Sequence, residues 1–574
     1  MTLALWVKAG TRGMPIDDAY IFERYVHNIV NGMGYCFNPG EVSFGVTSFI
    51  WTLLNAAIIK ILPFITFHNL SQAMGIIFFA ATVALVELWV YRELKNVLTA
   101  SLTGFLYMLS PMAFMHSISG METSLYIFAL LGFIYMYRFY GLNRAFAMGF
   151  AAGFVFLVRP EGLYLPAAVI CVEALLAIVA RDRKRIRRLP FFAAGFLLIS
   201  FPLILFTKLN TPGWLPTTYY GKMVGAVGCY SRGVFDELIE ALHYMTKGHG
   251  RTVARYGVAG GIAWAAALLW AVRTTTASLT SKRFDFGGGR VKYLAYALLA
   301  AAAVLAQFWR LADLNPVKVI LAIAIVLLLV ALQASAFFTG DRHKISEDGV
   351  NELGGHLALA GLFFLPLVYG LFFRTGPVFG GYYNRYIAVM VPAMWIMAAR
   401  GAQIMLRDKT NTAKIYYAAI SVYSFVLFAG AIGDHVRIYR NEVKLNEVLR
   451  SSAAEWIREN TPPDAVVMTG YTGLGVVGGK CGRYVVDMGA LINPDAGEFY
   501  RDAPCLPSRR WPRTVAYMKH RDVSYFVTVP GIPDDPHSDP KGTGGFELAA
   551  RIEKPEAGQL GFKCIEIWRL DYKR

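Results

Sequence analysis

Residues 181–210 read RDRKRIRRLPFFAAGFLLISFPLILFTKLN. Six basic side chains fall within 181–188, and the run 191–207 that follows carries no charge at all. A bilayer core takes roughly 20 apolar residues in a helix, and flanking Lys and Arg stay on the cytoplasmic side. The stretch therefore reads as a membrane helix with its basic end inside the cell.

The rest of the chain repeats this pattern. Of 574 residues, 56% are hydrophobic, 14% are aromatic and only 17% are charged, against about 25% charged in a soluble domain. The mean hydropathy is +0.43. Thirteen apolar runs stand between charged loops, at 49–67, 70–90, 97–115, 123–138, 145–158, 163–180, 191–207, 258–272, 293–309, 317–338, 357–373, 387–399 and 415–432. The expected fold is an α-helical polytopic membrane protein with about 11–14 transmembrane helices. Pro63 makes the run 49–67 a poor simple span. The net charge of +17 comes largely from short basic loops, as the positive-inside rule requires, and excludes nucleic acid as the natural partner.

From 181–189 inside, successive crossings put 208–256 outside and 273–292 inside. They then put 374–386 outside, 400–414 inside and the tail outside. The loops 273–292 and 400–414 are themselves basic, so the three basic loops agree. Beyond about residue 434 the long apolar runs stop. VLRSSAAEWIREN reads as an amphipathic helix, and DAVVMTGY, RYVVDM and VSYFVTVP read as short strands. The organisation is thus a membrane domain at 1–433 and a soluble extracytoplasmic α/β domain at 434–574. Cys481, Cys505 and Cys564 lie in the tail, where an oxidising compartment would permit a disulfide.

Several polar motifs stand at helix ends. GMPIDDAYIFERY (13–25) puts Asp17 and Asp18 side by side near the start, with Arg24 close behind. One aspartate can cap a helix. The other reads as a carboxylate at the membrane surface, a general base or a metal ligand. SGMET (119–123) places Glu122 between two apolar runs, six residues after His116. RPEG (159–162) holds Arg159 and Glu161 at a helix end that Pro160 must break; this is either a local ion pair or an Arg aimed at phosphate. NTPGWLPTTYYGKMVG (210–225) presents Tyr219, Tyr220 and Lys222 in the long outer loop, and GGYYNRY presents Arg385 before an outer helix end. TGYTGLGVVGG satisfies G-x-G-x-x-G through Gly473, Gly475 and Gly478. A strand rather than a helix is expected after it, so a dinucleotide site is excluded.

In this order, the motifs resemble those of bacterial GT-C glycosyltransferases of the group that includes the mycobacterial arabinofuranosyltransferases. DDAYIFERY (17–25), GMGYCFNPGE (32–41), TSFIW (47–51), SGMET, RPEG, LPTTYYGK (215–222) and Arg385-Tyr386 carry the resemblance over most of 14–400. The chain departs from the pattern at SFGVT (43–47), which replaces E-G-Y-T, and at Thr217, which replaces an asparagine.

The resemblance implies transfer of a sugar from a polyprenyl-phosphate donor to a hydroxyl on the outer face of a bacterial plasma membrane, by an inverting mechanism. Arabinofuranose is its first choice of sugar and a hexose its second. The acceptor it implies is a cell-envelope glycan, lipid or protein. It makes Asp17 the base, with Asp18 the fallback and Glu122 a second acid. Arg24, His116, Arg159, Glu161, Tyr219, Tyr220, Lys222 and Arg385 become groups for the donor phosphate or substrate. Members of the superfamily differ in metal use, so a divalent cation stays open. A secondary transporter or flippase for an anionic or lipid-linked substrate is the competing reading. It calls for repeated halves, which the sequence does not show.

The orientation is testable. Alkaline phosphatase, active only after export, should be active when fused after Arg574; an inactive fusion would invert every site assignment.

Overall fold

The computed structural model describes residues 13–180, 183–211, 216–218, 385–406, 436–470, 473–493, 507–530, 544–554 and 564–571, with a few single residues between them. Tyr219, Tyr220, Lys222 and Cys505 fall outside the described residues. So do all or nearly all of the apolar runs 258–272, 293–309, 317–338, 357–373 and 415–432.

The chain opens with α1 (Asp17–Val30), α2 (Phe49–Ile61), α3 (Phe67–Leu94), α4 (Val97–Met108) and α5 (Pro111–Ser117). Then come α6 (Thr123–Tyr140), α7 (Ala145–Val158), α8 (Tyr164–Ala180), α9 (Arg183–Asn210) and α10 (Met390–Leu406). Local chemistry sets the ends. Ser48, Thr66 and Asn96 cap α2, α3 and α4 by accepting from the amides of Trp51, Asn69 and Thr99. The run 49–67 stops at Ile61, just before Pro63. The run read as 97–115 breaks at Leu109–Ser110 into α4 and α5, because the residue before Pro111 is pushed out of helical backbone. Arg159 takes extended backbone ahead of Pro160, and a 3₁₀ turn, Pro160–Leu163, leads into α8.

Among the described residues, α3 and α9 are long and apolar enough to cross a bilayer. Each has 28 residues, about 42 Å at 1.5 Å per residue. Both leave large apolar side chains uncovered: Ile77 and Leu88 on α3, and Phe191, Leu197, Leu198 and Phe201 on α9. Hydrocarbon is the natural cover for such faces. The packing of α7 on α9 relies on small residues. A Cβ on Gly149 would lie 1.8 Å from the Phe192 carbonyl oxygen, and one on Gly195 would lie 2.0 Å from that of Phe146. Close backbone approach of this kind is how apolar helices associate where lipid competes for their side chains.

The C-terminal part begins with a helical run from 436 that widens into a π-helical turn, Leu445–Arg450. It continues as α11 (Ser451–Asn460) and α12 (Pro507–His520) around one five-stranded sheet. β1 (Val466–Thr469), β2 (Tyr484–Asp487) and β3 (Tyr525–Thr528) fall in the three segments read as strands. β4 (Phe546–Glu553) and β5 (Cys564–Leu570) complete the order β2-β1-β3-β5-β4. β1 runs parallel to β2 and β3, while β5 runs antiparallel to β3 and β4. Cys481 and Cys564 are buried free thiols.

This sheet and the N-terminal motifs share one core. Asn38, from the FNPGE segment, donates Nδ2–H to the Val485 carbonyl at 2.8 Å and accepts the Val485 amide at 3.0 Å, pairing with β2 as a strand residue would. Gln72 of α3 donates to the Tyr439 hydroxyl at 3.2 Å and to the Ile118 carbonyl at 3.0 Å. The sheet-bearing part is therefore seated on the end of the helical bundle where the motifs collect.

Candidate active site

The N-terminus of α1 lies at this junction. Ile16 gives no side-chain cap, so the first-turn carboxylates of Asp17 and Asp18 are free for other partners. Asp17 turns to the sheet domain. Its Oδ2 accepts the Gly475 amide at 2.9 Å, its Oδ1 accepts the Val476 amide at 3.0 Å, and Nη1 of Arg450 stands 3.8 Å from Oδ1. Both amides belong to a second π-helical turn, Leu474–Gly478, inside the G-x-G-x-x-G stretch. A helical turn does follow the first glycines, contrary to the sequence expectation, and its amides hold a carboxylate of the same chain. Glycine is required at 475, because a Cβ there would meet the Asp17 carbonyl oxygen at 1.9 Å. Burial pushes the Asp17 carboxyl up from its usual range, opposed by Arg450 and by the two amides.

Asp18 turns the other way. Its side chain is 44% exposed, and its Oδ2 pairs with Nη2 of Arg385 at 2.9 Å. Arg385 opens a short helical turn, Arg385–Ala388, ahead of α10. Of the cations that the resemblance assigns to the donor phosphate or substrate, Arg385 therefore sits beside Asp18. Lys222 lies outside the described residues, and Arg159 belongs to a separate group.

That group is buried. Glu122 precedes α6 and is 0% exposed. Its Oε1 accepts from Nη1 of Arg159 at 2.8 Å and from the Thr47 hydroxyl at 2.8 Å. Arg159 also gives Nη2–H to Glu161 at 3.0 Å and Nε–H at 3.3 Å, and lies 5.4 Å over the Tyr126 ring. The local Arg159–Glu161 pair is thus present, with Glu122 added. Glu122 Oε2 is buried with no hydrogen-bond partner among the described residues.

The two groups adjoin through Met14. It abuts Gly120 of SGMET, where a Cβ would lie 2.4 Å from the Met14 sulfur. Trp51 of TSFIW donates to the Gly120 carbonyl at 3.3 Å. The SFGVT departures are satisfied locally: Tyr25 hydrogen-bonds the Ser43 hydroxyl at 2.6 Å and accepts the Gly45 amide at 2.8 Å. Arg24 donates Nε–H to the Phe37 carbonyl at 3.2 Å, bracing the FNPGE segment. His116 is buried in α5, where its carbonyl accepts from Ser119. Among the described residues, no group of three or more His, Cys, Asp or Glu is arranged to hold a metal ion.

Sequence reasoning missed Asp487, at the end of β2. Its Oδ1 accepts the Gly489 amide at 2.9 Å and its Oδ2 the Leu491 amide at 2.6 Å, which folds the loop that packs Ile492 against Gly45. Burial pushes its carboxyl up to about 6. The amides pull it back, and the charge of Asp18 pushes the same way as burial. An aspartate after a β-branched run was the available signal, but nothing in the sequence ties it to residue 18.

The chain matches no protein-family model and no curated protein. Among solved structures it is similar to ArnT from Cupriavidus metallidurans bound to undecaprenyl phosphate, at 14% identity and TM-score 0.47, covering 99% of this chain and 96% of that one. The apo form of the same ArnT gives 14% identity and TM-score 0.44 over the same shares. The Archaeoglobus fulgidus oligosaccharyltransferase tethered to an acceptor peptide gives 13% and 0.43, covering 92% of this chain and 68% of that one. Likeness at this level assigns no role to any residue here.

Asp487 gives a signed prediction. Its folded pKa is raised, so the stability it contributes is full below 3.8, the usual value, and is lost as pH rises through about 6. Wild type should lose thermal stability relative to Asp487→Asn between pH 4 and pH 7, by about 3 kcal/mol at roughly 1.4 kcal/mol per unit. Parallel melting curves across that range would show that the carboxyl is not held in its raised state.

Proposed function

We propose that this protein is a membrane glycosyltransferase of GT-C type. It moves a sugar, arabinofuranose first, from a polyprenyl-phosphate donor to a hydroxyl of a cell-envelope glycan, lipid or protein on the outer face of the plasma membrane. The observation that carries this is the Asp18–Arg385 pair: a half-open carboxylate and a guanidinium 2.9 Å apart, joining α1 to the turn before an apolar helix. Such a pair supplies both halves of the chemistry. The acceptor hydroxyl must lose a proton as its oxygen attacks the anomeric carbon, and a carboxylate can take it. The sugar–phosphate bond breaks as the new bond forms, the configuration inverts, and polyprenyl phosphate leaves with added negative charge. An arginine suits that phosphate because its fork meets two oxygens at once.

Asp18 is the base in this reading, and Asp17 is not. Both oxygens of Asp17 are engaged by backbone amides, and that state is of least use to a base. Glu122, with Arg159 and Glu161 behind it, offers one buried oxygen with no hydrogen-bond partner among the described residues, suited to accept from a sugar hydroxyl. The uncovered faces of α3 and α9 support a membrane setting for a polyprenyl chain.

The test uses purified full-length protein in detergent, radiolabelled polyprenyl-phosphate arabinofuranose, and detection of released polyprenyl phosphate. Wild type should release it. Asp18→Asn should fall by about 10²–10⁴-fold and Glu122→Gln by at least tenfold. If Asp18→Asn keeps more than about a third of the rate while Asp17→Asn is dead, the base is Asp17. If wild type releases nothing with pentose or hexose donors, the reading fails.

A further inference from the structure

Two π-helical turns occur among the described residues, Leu445–Arg450 and Leu474–Gly478, and both end on Asp17. Such turns make up well under 1% of residues in globular proteins and concentrate at functional sites. Here the first one grips the start of α1 at two points. Asn446 donates Nδ2–H to the Met14 carbonyl at 2.8 Å, and Arg450 reaches Asp17 while donating to Asn446 Oδ1. The second closes the opposite side with backbone alone, through an approach that only glycine at 475 allows. The first turn of α1 is therefore held from two directions by the sheet domain, one residue before the half-exposed Asp18.

We propose that Arg450 is a positioning residue for the transfer reaction: with the amides of Gly475 and Val476 it holds the Asp17 carboxyl in place, and so sets the direction in which Asp18 faces the donor. The inference rests on the glycosyltransferase reading for its kinetic consequence but not for its structural one. Asp17 has no need to touch substrate. It converts the docking of one domain into the aim of its neighbour's carboxylate, and a small error of aim costs heavily in a reaction that depends on a near-attack arrangement.

The charges around Asp17 are few. Asp18 and Tyr20 share its helix. Arg450 faces it from the 445–450 turn, where it also acts on the buried carboxyl of Glu442; Glu447 of that turn lies against Gly13, and Arg385 pairs with the neighbouring Asp18. The 474–478 turn brings only backbone, and Lys480 just beyond it stands 5.1 Å over the Tyr20 ring. Among the described residues, Arg450 is thus the cation that opposes the effect of burial on Asp17. Without it the Asp17 carboxyl takes its proton at a higher pH and lets go of the two amides.

The experiment compares wild type, Arg450→Gln and Arg450→Lys as full-length proteins in detergent with radiolabelled polyprenyl-phosphate arabinofuranose. Arg450→Gln should lose about 10–100-fold in kcat with KM for the donor within about twofold. The acid limb of its kcat profile should move to higher pH, and Arg450→Lys should restore most of both. Hydrogen exchange over residues 14–22, corrected for intrinsic rate, should quicken on acidification at a higher pH in Arg450→Gln than in wild type, with about a tenfold difference where the two curves lie furthest apart. That readout stands even if wild type transfers no sugar, so failure of the glycosyltransferase reading and failure of this inference are separable. An unshifted acid limb, a loss equal at every pH that Lys does not restore, or exchange identical to wild type at every pH would overturn the proposal.

Discussion

The structure turns on one unusual bond set: a carboxylate at the start of α1 held by two backbone amides of a glycine-rich turn more than four hundred residues away. A carboxylate largely removed from water is costly unless donors replace the lost solvent. The amides of Gly475 and Val476 do so, Arg450 supplies the countercharge, and the desolvation of Asp17 is offset only while the two parts of the chain stay docked. Much of the rest follows from that contact. Asn38 pairs with β2, Tyr25 anchors the 43–45 segment, and Gln72 reaches Tyr439. The first and last of these tie the bundle end to the C-terminal part, and Asp18 is left facing away from the contact.

The second constraint is the buried group Glu122–Arg159–Glu161. Two carboxylates share one guanidinium, with Thr47 and the Tyr126 ring assisting. An arrangement of this kind adds little net stability over an apolar core of similar shape, but removal of one member leaves an uncompensated buried charge and costs several kcal/mol. Its value here is geometric. It ties the loop before α2, the start of α6 and the break before α8 to one point, and Met14 joins that point to the start of α1.

Much of this was legible in the sequence, for physical reasons. Apolar runs such as 70–90 and 191–207 lie within long helices because length and hydropathy act locally. Pro63 marks a real break because proline constrains its own backbone and that of its predecessor, and Pro111 makes another for the same reason inside the run read as one span over 97–115. Clustered polar residues at helix ends, Asp17, Asp18, Glu122, Arg159 and Arg385, were visible because charge is rare in this chain. The roles within the clusters were not visible. Asp17 and Asp18 are equivalent in sequence, and only a backbone donor far along the chain separates them. The glycine motif read as a decoy for nucleotides, and no pattern announces that such amides will hold an aspartate. Arg450 and Asp487 sit in ordinary helical and strand contexts, and β4 and β5 carry too weak an alternation to stand out.

The central claim is that Arg385 and Asp18 form the reacting end of the site, with Arg385 leaving the carboxylate for the donor phosphate. An experimental structure of the full-length protein with polyprenyl phosphate bound tests it most directly. The account predicts phosphate oxygens within about 3 Å of the Arg385 guanidinium, Asp18 released from that arginine, and Asp17 still held by Gly475 and Val476. A phosphate seated elsewhere, with the Asp18–Arg385 pair intact, would contradict it.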